Sequence, residues 1–274
     1  MTISGKTKIT GIFGFPVEHT LSPAMQNAAF EAMALDYCYI PFLVHPDKLE
    51  NAVKAVRALN LRGINITVPH KEKVMEFLDE IHEEGLFIGA INTIVNDDGK
   101  LVGFNTDGRG FMRSLGEAGI SARDMDVLIV GAGGAARAVG YYLSREAHSL
   151  TIYGRTHSRA EGLAEDLRKV GDVVSASNNF SDIDRFHMIV NATPLGLKHD
   201  DPLPFDTRAL RKEQIVYDLI YKNTRLLEEA GAKGCTVLNG SGMLLWQGAL
   251  AFELWTGKVP PVETMRRALL KAIH

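Results

Sequence analysis

Cysteine is scarce: Cys38 and Cys235 are the only two in 274 residues. Two thiols cannot build a disulfide framework or a structural zinc site by themselves, so both read as reduced. None of the nine histidines shows paired metal-ligand spacing, and no metal is inferred. Basic excess is also missing. The net charge is −3, which excludes a general nucleic-acid or anionic-membrane surface. No apolar run is long enough for a bilayer: the most apolar late segment, Met243 to Trp255, is interrupted by Gln247 and Glu253. The first residues, MTISGKTKITG, lack the basic stretch and apolar run of a secretory signal. Gly-x-Ser-x-Gly is absent, which removes support for an α/β-hydrolase nucleophile. The 46% apolar content excludes intrinsic disorder and suffices for real cores. A soluble, cytoplasmic protein is expected.

What is present is alternation of strand-length apolar runs with helical periods, the mark of an α/β class with mostly parallel sheets. In the first third, strands are expected at Ile9–Phe13, Tyr37–Val44, Gly63–Val68, Ala90–Val95 and Leu101–Phe104. Asp97-Asp98-Gly99 is a hairpin signal between the last two. Helices are expected after Pro23, Pro46, His70 and Asp107, the first with Ser22 as N-cap and Pro23 at the first helical position. From Asp126 the pattern becomes regular βα units. Strands at Asp126–Val130, Ser149–Tyr153, Val173–Ser175, His187–Asn191, Gln214–Asp218 and Cys235–Leu238 suit a Rossmann domain. An almost wholly apolar helix follows Asn239, then Pro260-Pro261 and a last amphipathic helix. The expected domains are 1–106 with 241–274, the last helices packing back on the first domain, and 107–240.

The strongest local signal is Asp126–Val130 running into Gly131-Ala132-Gly133-Gly134-Ala135-Ala136-Arg137. Strand, GxGxxA turn, helix and second strand fall in register. Gly131 permits the tight turn, Gly133 lets a pyrophosphate approach the backbone, and Ala136 lets helix and strand pack closely. The second strand ends at Tyr153-Gly154-Arg155-Thr156, with Arg159 beyond. An NAD site usually carries an acid at this tip; here two guanidiniums and a hydroxyl suit a 2′-phosphate, so NADP is favoured.

Polar residues also stand where apolar ones are expected. Lys71 follows Pro69 at a strand's exit, a common place for chemistry, though alone it reads as a surface lysine. Asn92 lies within Ala-Ile-Asn-Thr-Ile-Val and needs hydrogen-bond partners. Gln247 interrupts an apolar helix and needs one too. Asp107 opens a helix, with N-capping as its default role. His19 reads equally as structural or functional.

Together these segments resemble the shikimate dehydrogenase family over nearly the whole chain. Gly14-Phe15-Pro16-Val17-Glu18-His19-Thr20-Leu21-Ser22-Pro23-Ala24-Met25-Gln26-Asn27 resembles its N-terminal substrate loop, and Asn65-Ile66-Thr67-Val68-Pro69-His70-Lys71 its catalytic-lysine motif. Ala90-Ile91-Asn92-Thr93, Asn105-Thr106-Asp107-Gly108-Arg109-Gly110, the glycine turn and Gly154-Arg155-Thr156 follow in the family's order. Asn191-Ala192-Thr193-Pro194-Leu195-Gly196, Asp218-Leu219-Ile220-Tyr221 and Gly242-Met243-Leu244-Leu245-Trp246-Gln247 complete the series.

The resemblance implies reversible NADPH-dependent reduction of 3-dehydroshikimate to shikimate, in the biosynthesis of chorismate and aromatic amino acids. It implies Lys71 and Asp107 as the catalytic pair. Thr20, Ser22 and Tyr221 would hold the substrate carboxylate, and Thr67, Asn92, Asp107 and Gln247 the ring hydroxyls. In reduction the nicotinamide delivers hydride to the C3 carbonyl while Lys71 stabilises or protonates the developing alkoxide, with Asp107 orienting both. The implied cofactor contacts are Gly131, Gly133, Gly134, Ala135, Arg155, Thr156, Arg159, Asn191, Thr193, Gly240 and Met243. Three positions depart from the family's pattern. His19-Thr20 stands for His-Ser, Gly154 for Asn, and the segment after Tyr221 is shorter. The expected partner is a small-molecule substrate, with no nucleic acid or membrane, on a monomer or homodimer. The alternatives are a quinate/shikimate dehydrogenase with broader substrate or NAD use, and a non-catalytic NADP-binding regulator, against which intact Lys71 and Asp107 argue.

Overall fold

The computed structural model describes residues 2–179 and 182–273. The chain divides into two compact units, one running to Thr106 and resuming at Leu245, the other Asp107–Leu244.

The first unit is built on strands β1 (Lys8–Gly14), β2 (Tyr37–Leu43), β3 (Gly63–Ile66), β4 (Glu80–Ile81), β5 (Thr93–Asp97) and β6 (Lys100–Phe104). Their order is β2-β1-β3-β5-β6-β4. β1 pairs in parallel with both β2 and β3, but β5 is antiparallel to β3 and β6. β4 pairs in parallel with β6, so five strands run one way and β5 alone is reversed: the sheet is mostly parallel, as expected, with one antiparallel strand. β5 and β6 are joined by the hairpin at Asp98 and Gly99, both at positive φ as a tight two-residue turn requires. Phe13, Val53, Val56, Ile64, Ile66, Ile91, Ile94 and Leu101 form the core on this sheet.

Helices α1 (Ser22–Ala32), α2 (Leu49–Ala58) and α3 (Glu83–Ile88) accompany these strands. Two local expectations are corrected. Leu21, not Ser22, occupies the N-cap position, with Ser22 and Pro23 already helical; the Thr20 hydroxyl accepts the Ser22 N–H instead. No α-helix follows His70. A short 3-10 turn, Lys73–Phe77, stands there, with Val74 in the core and Met75 and Phe77 packed against it.

The second unit opens with α4 (Asp107–Glu117), followed by β7 (Asp126–Val130), α5 (Gly134–Glu146), β8 (Ser149–Tyr153), α6 (His157–Leu167) and β9 (Val174–Ser177). β10 (Met188–Asn191), β11 (Ile215–Asp218), α7 (Arg225–Ala232) and β12 (Thr236–Asn239) complete it. All pairings are parallel in the order β12-β11-β10-β7-β8-β9, the 3-2-1-4-5-6 winding of a Rossmann sheet. Asp107 is the first residue of α4, a first-turn helical position rather than the expected residue before it.

The chain then enters α8 (Ser241–Thr256) and rejoins the first unit at Leu245, about one turn later than the 241 read from sequence. α9 (Val262–Ile273) packs along α1. Trp255 of α8 is fully buried and donates its ring N–H to Ile94 O at 3.0 Å. It lies so close to β3 that a Cβ on Gly63 would overlap its Nε1. Gly63→Ala is therefore expected to cost about 1–3 kcal/mol through overpacking, read as a lower urea midpoint.

Candidate active site

The first unit collects six of the expected residues. Gly14 ends β1 where a Cβ would meet Thr67 Cγ2 at 2.5 Å, so glycine admits Thr67 beside the strand's exit. Thr67 N–H still donates to Phe13 O at 3.0 Å, and the chain turns at Pro69 into His70 and Lys71. His70 is buried, and its Nε2 lies 2.8 Å from Val44 O, which can only accept, so Nε2 carries the proton. Lys71 is half-buried, its carbonyl receiving Ile91 N–H at 2.8 Å. That bond ties Lys71 to the residue preceding Asn92. Ser22 is buried and Thr20 half-buried at the start of α1.

Asn92 and Gln247 find the partners their positions require. Asn92 Nδ2 donates to Thr106 Oγ1 at 2.9 Å and to Gln247 Oε1 at 3.4 Å. Its Oδ1 accepts from Thr106 N at 2.9 Å and Thr93 Oγ1 at 3.0 Å. Thr93 Oγ1 in turn accepts from Asn65 Nδ2 at 3.0 Å, and Asn65 Oδ1 accepts from Tyr39 Oη at 2.8 Å. Asn65 Nδ2 also donates to Asn92 O at 3.0 Å, which fixes the orientation of that amide. Burial pushes the Tyr39 hydroxyl far above the ordinary tyrosine range, so it remains a donor. The chain from Tyr39 to Gln247 leaves Asn92 little freedom, since each broken link would strand a buried polar group. Sequence reasoning singled out Asn92 and Gln247 but not Asn65, Tyr39 or His70. Asn65 carried the same signal, a carboxamide inside the apolar run Gly-Ile-Asn-Ile.

Asp107 and Tyr221 belong to the second unit. Asp107 begins α4, and Tyr221 lies half-buried in the loop after β11, with the Lys222 ammonium 5.9 Å from its ring centre.

The glycine turn closes the first βα unit of the Rossmann sheet. Gly131 has φ +125°, and a Cβ there would stand 2.9 Å from Ala192 O. Only glycine fits this conformation and this approach. Cβ atoms on Gly133 and Gly134 would meet nothing within 4 Å, so the backbone at the start of α5 is open to a ligand. Beside the turn is a cavity of about 320 Å³ whose lining includes Gly131, Gly133, Arg155, Thr156, Arg159 and Thr193. Arg155 and Arg159 are exposed, and neither forms an ion pair or side-chain hydrogen bond among the described residues. A glycine cradle at a helix N-terminus and two available guanidiniums where an NAD site holds an acid fit a 2′-phosphorylated dinucleotide.

Gly134, Ala135, Gly240 and Met243 are outside that lining. Gly134 and Ala135 are exposed at the N-terminus of α5. A Cβ on Gly240 would overlap Leu219 O, so this glycine serves the close passage of β12's exit past β11's. Asn191 is fully buried, and its carboxamide is engaged by Thr193, Leu195 and Asp218, which places it behind the cavity wall.

No group of three or more His, Cys, Asp or Glu side chains could hold a metal ion among the described residues, and no helix is long and apolar enough to cross a membrane.

The fold and these residues define a two-domain α/β protein with a dinucleotide-binding Rossmann unit. Comparison with known proteins narrows that class. Residues 12–94 match the shikimate dehydrogenase substrate-binding domain, 115–196 the shikimate/quinate 5-dehydrogenase family, and 240–270 the shikimate 5′-dehydrogenase C-terminal domain. The NADP(+) shikimate dehydrogenase of Carboxydothermus hydrogenoformans is 45% identical over 98% of this chain and 99% of its own. A solved shikimate dehydrogenase in complex with NADP+ is 39% identical, covers 100% of this chain and 98% of its own, and superposes with a TM-score of 0.94. The Thermus thermophilus enzyme in complex with NADP(H) and shikimate is 37% identical over 97% of this chain and 100% of its own, with a TM-score of 0.89. The chain belongs to the shikimate dehydrogenase family.

Proposed function

We propose that the protein is an NADP-dependent shikimate dehydrogenase, reducing 3-dehydroshikimate reversibly to shikimate in the cytoplasm as a monomer or homodimer. The observation that carries this reading is the fixed Asn92–Gln247 pair, bonded at 3.4 Å, with the backbone of Lys71 tied to the residue before Asn92. Polar side chains in apolar segments are costly to bury unless hydrogen-bonded, and here the protein's own bonds hold Asn92 and Gln247 in place for a ligand's hydroxyls.

NADPH, when bound, supplies the hydride. Lys71 places its proton at the C3 oxygen as negative charge develops there, with Asp107 as its partner. Thr67, Asn92 and Gln247 hold the ring hydroxyls; Thr20, Ser22 and Tyr221 hold the carboxylate. Gly131, Gly133, Gly134 and Ala135 present backbone to the pyrophosphate, and Arg155, Thr156 and Arg159 read the 2′-phosphate. Thr193, Gly240 and Met243 complete the cofactor contacts.

Four assays test this: shikimate or quinate, each with NADP+ or NAD+. Shikimate with NADP+ is expected to give the highest kcat/KM, and absence of turnover in all four would leave only the binding-protein reading. Thr20 sharpens the substrate comparison. Its Oγ1 accepts the Ser22 N–H at 3.4 Å, which leaves its own proton for a carboxylate. Its methyl stiffens χ1 and narrows the space beside C1, where quinate carries an extra hydroxyl. Thr20→Ser keeps the donor, so shikimate kcat/KM is expected to stay within about threefold, less than the loss of one hydrogen bond. A wild-type preference for quinate that this substitution reverses would favour the broader enzyme instead.

A further inference from the structure

We propose that Asp218 is a positioning residue whose one buried carboxylate anchors both the wall of the nucleotide cavity and the loop that carries Tyr221. Asp218 ends β11 in register with Asn191 of β10 and Asn239 of β12, at the carboxyl edge of the Rossmann sheet. It is fully buried and has no ion-pair partner among the described residues. Its neighbours are donors. Oδ1 accepts from Asn191 Nδ2 at 3.0 Å and from Ile220 N at 3.1 Å; Oδ2 accepts from Thr224 Oγ1 at 2.7 Å.

The three bonds lead to two loops. On the nucleotide side, Asn191 passes the constraint on. Its Oδ1 receives Thr193 N–H at 3.1 Å and the Thr193 hydroxyl at 2.7 Å, and its Nδ2 also reaches Leu195 O at 3.3 Å. Thr193 and Leu195 line the 320 Å³ cavity. On the other side, Ile220 and Thr224 bracket Tyr221. Thr224 also caps α7, its hydroxyl accepting Leu227 N–H at 3.5 Å, while Ile220 O takes Gly240 N–H at 2.9 Å. Tyr221 is not in a strand or helix, so its place follows from the two residues pinned around it.

An uncharged apolar residue would fill this position without the cost of burying a carboxylate, and burial does push the Asp218 carboxyl above the ordinary range. What only an acceptor with two oxygens supplies is simultaneous satisfaction of three donors on two loops. The inference rests on the proposed roles of Tyr221 and of the cavity, and deepens them: the substrate-carboxylate contact and the cofactor wall share one anchor.

The test separates the two branches in the full-length protein, using NADPH fluorescence titration for cofactor Kd and steady-state turnover for shikimate KM. Thr224→Val, which keeps the shape, is expected to raise shikimate KM roughly tenfold with NADPH Kd within about twofold. Asn191→Ala is expected to do the reverse. Asp218→Ala should raise both by at least about tenfold, and Asp218→Asn should restore much of each, because its amide can keep two donors and give its own N–H to Thr224 Oγ1. If Asp218→Ala does not fold, the opposite responses of Thr224→Val and Asn191→Ala still decide the matter, since a general loss of stability would not split them. A folded Asp218→Ala with both constants within about twofold of wild type, or single-branch variants that move both constants alike, overturns the proposal. Failure of the functional reading is separate, because it shows as absence of shikimate turnover in the wild-type protein.

Discussion

Lys71→Ala is expected to lower kcat for 3-dehydroshikimate reduction by about 10²–10⁴-fold while changing 3-dehydroshikimate KM far less, the range for loss of a positioned proton donor. The split follows from when the interaction forms. The ground-state carbonyl asks little of an ammonium, whereas the alkoxide forming at C3 asks for charge and a proton together. The substitution also leaves its surroundings intact. His70 remains locked on Val44 O, and the bond from Ile91 N–H to the carbonyl of residue 71 uses backbone alone. A folded protein that has lost turnover is therefore the expected product, and a matched far-UV spectrum and urea midpoint check that it is folded. Asp107→Asn should also be severe: it keeps the size of a residue at the first position of α4 and removes its charge. A Lys71→Ala protein with kcat within about threefold of wild type would take Lys71 out of the mechanism, since such a loss lies well below the proton-transfer range.

The Rossmann unit was the most legible part of the chain. Val127, Leu128, Ile129 and Val130 are all buried, as a central parallel strand requires, and the apolar run in sequence has the same limits as β7. The glycine turn after it is read from residue type because Gly131 needs a backbone conformation other residues avoid. The stretch after His70 was illegible for the opposite reason. β4 is two residues long and held by its neighbours, with Asp79 N–H on Leu101 O and His82 N–H on Gly103 O. Tertiary bonding of this kind leaves no period in the sequence.

In the candidate site, misplaced polarity was the usable signal, and it located Asn92 and Gln247. It could not reveal Tyr39, because a tyrosine in a strand fits an apolar face as well as a polar network. Nor could it say which way Asn191 points. The motif Asn191-Ala192-Thr193-Pro194 names both polar residues alike, whereas in the structure Asn191 is buried and Thr193 holds the lining position. Order along the chain names the residues of a wall without showing which side each faces.

Arg155→Ala is expected to weaken NADP+ binding by at least about tenfold, from the roughly 1.5–3 kcal/mol of a charge-assisted hydrogen bond, and to leave NAD+ binding within about twofold. Arg155 follows the exit of β8, past Gly154, in the lining of the nucleotide cavity. No acid stands at this tip to hold a ribose 2′-hydroxyl, so loss of the guanidinium removes a contact that only the phosphorylated cofactor can use. Arg155 is exposed, which places the expected loss toward the lower end of the range and makes it salt-dependent. Arg159, one helical turn further on, retains part of the attraction. The ratio of NAD+ to NADP+ dissociation constants should therefore fall in Arg155→Ala and fall further in Arg155→Ala/Arg159→Ala. In wild type it should shrink as ionic strength rises. Calorimetric titration of both dinucleotides at two salt concentrations reads all of these. Equal weakening for NAD+ and NADP+ would mean that Arg155 supports the fold of the β8–α6 turn and does not read the 2′-phosphate.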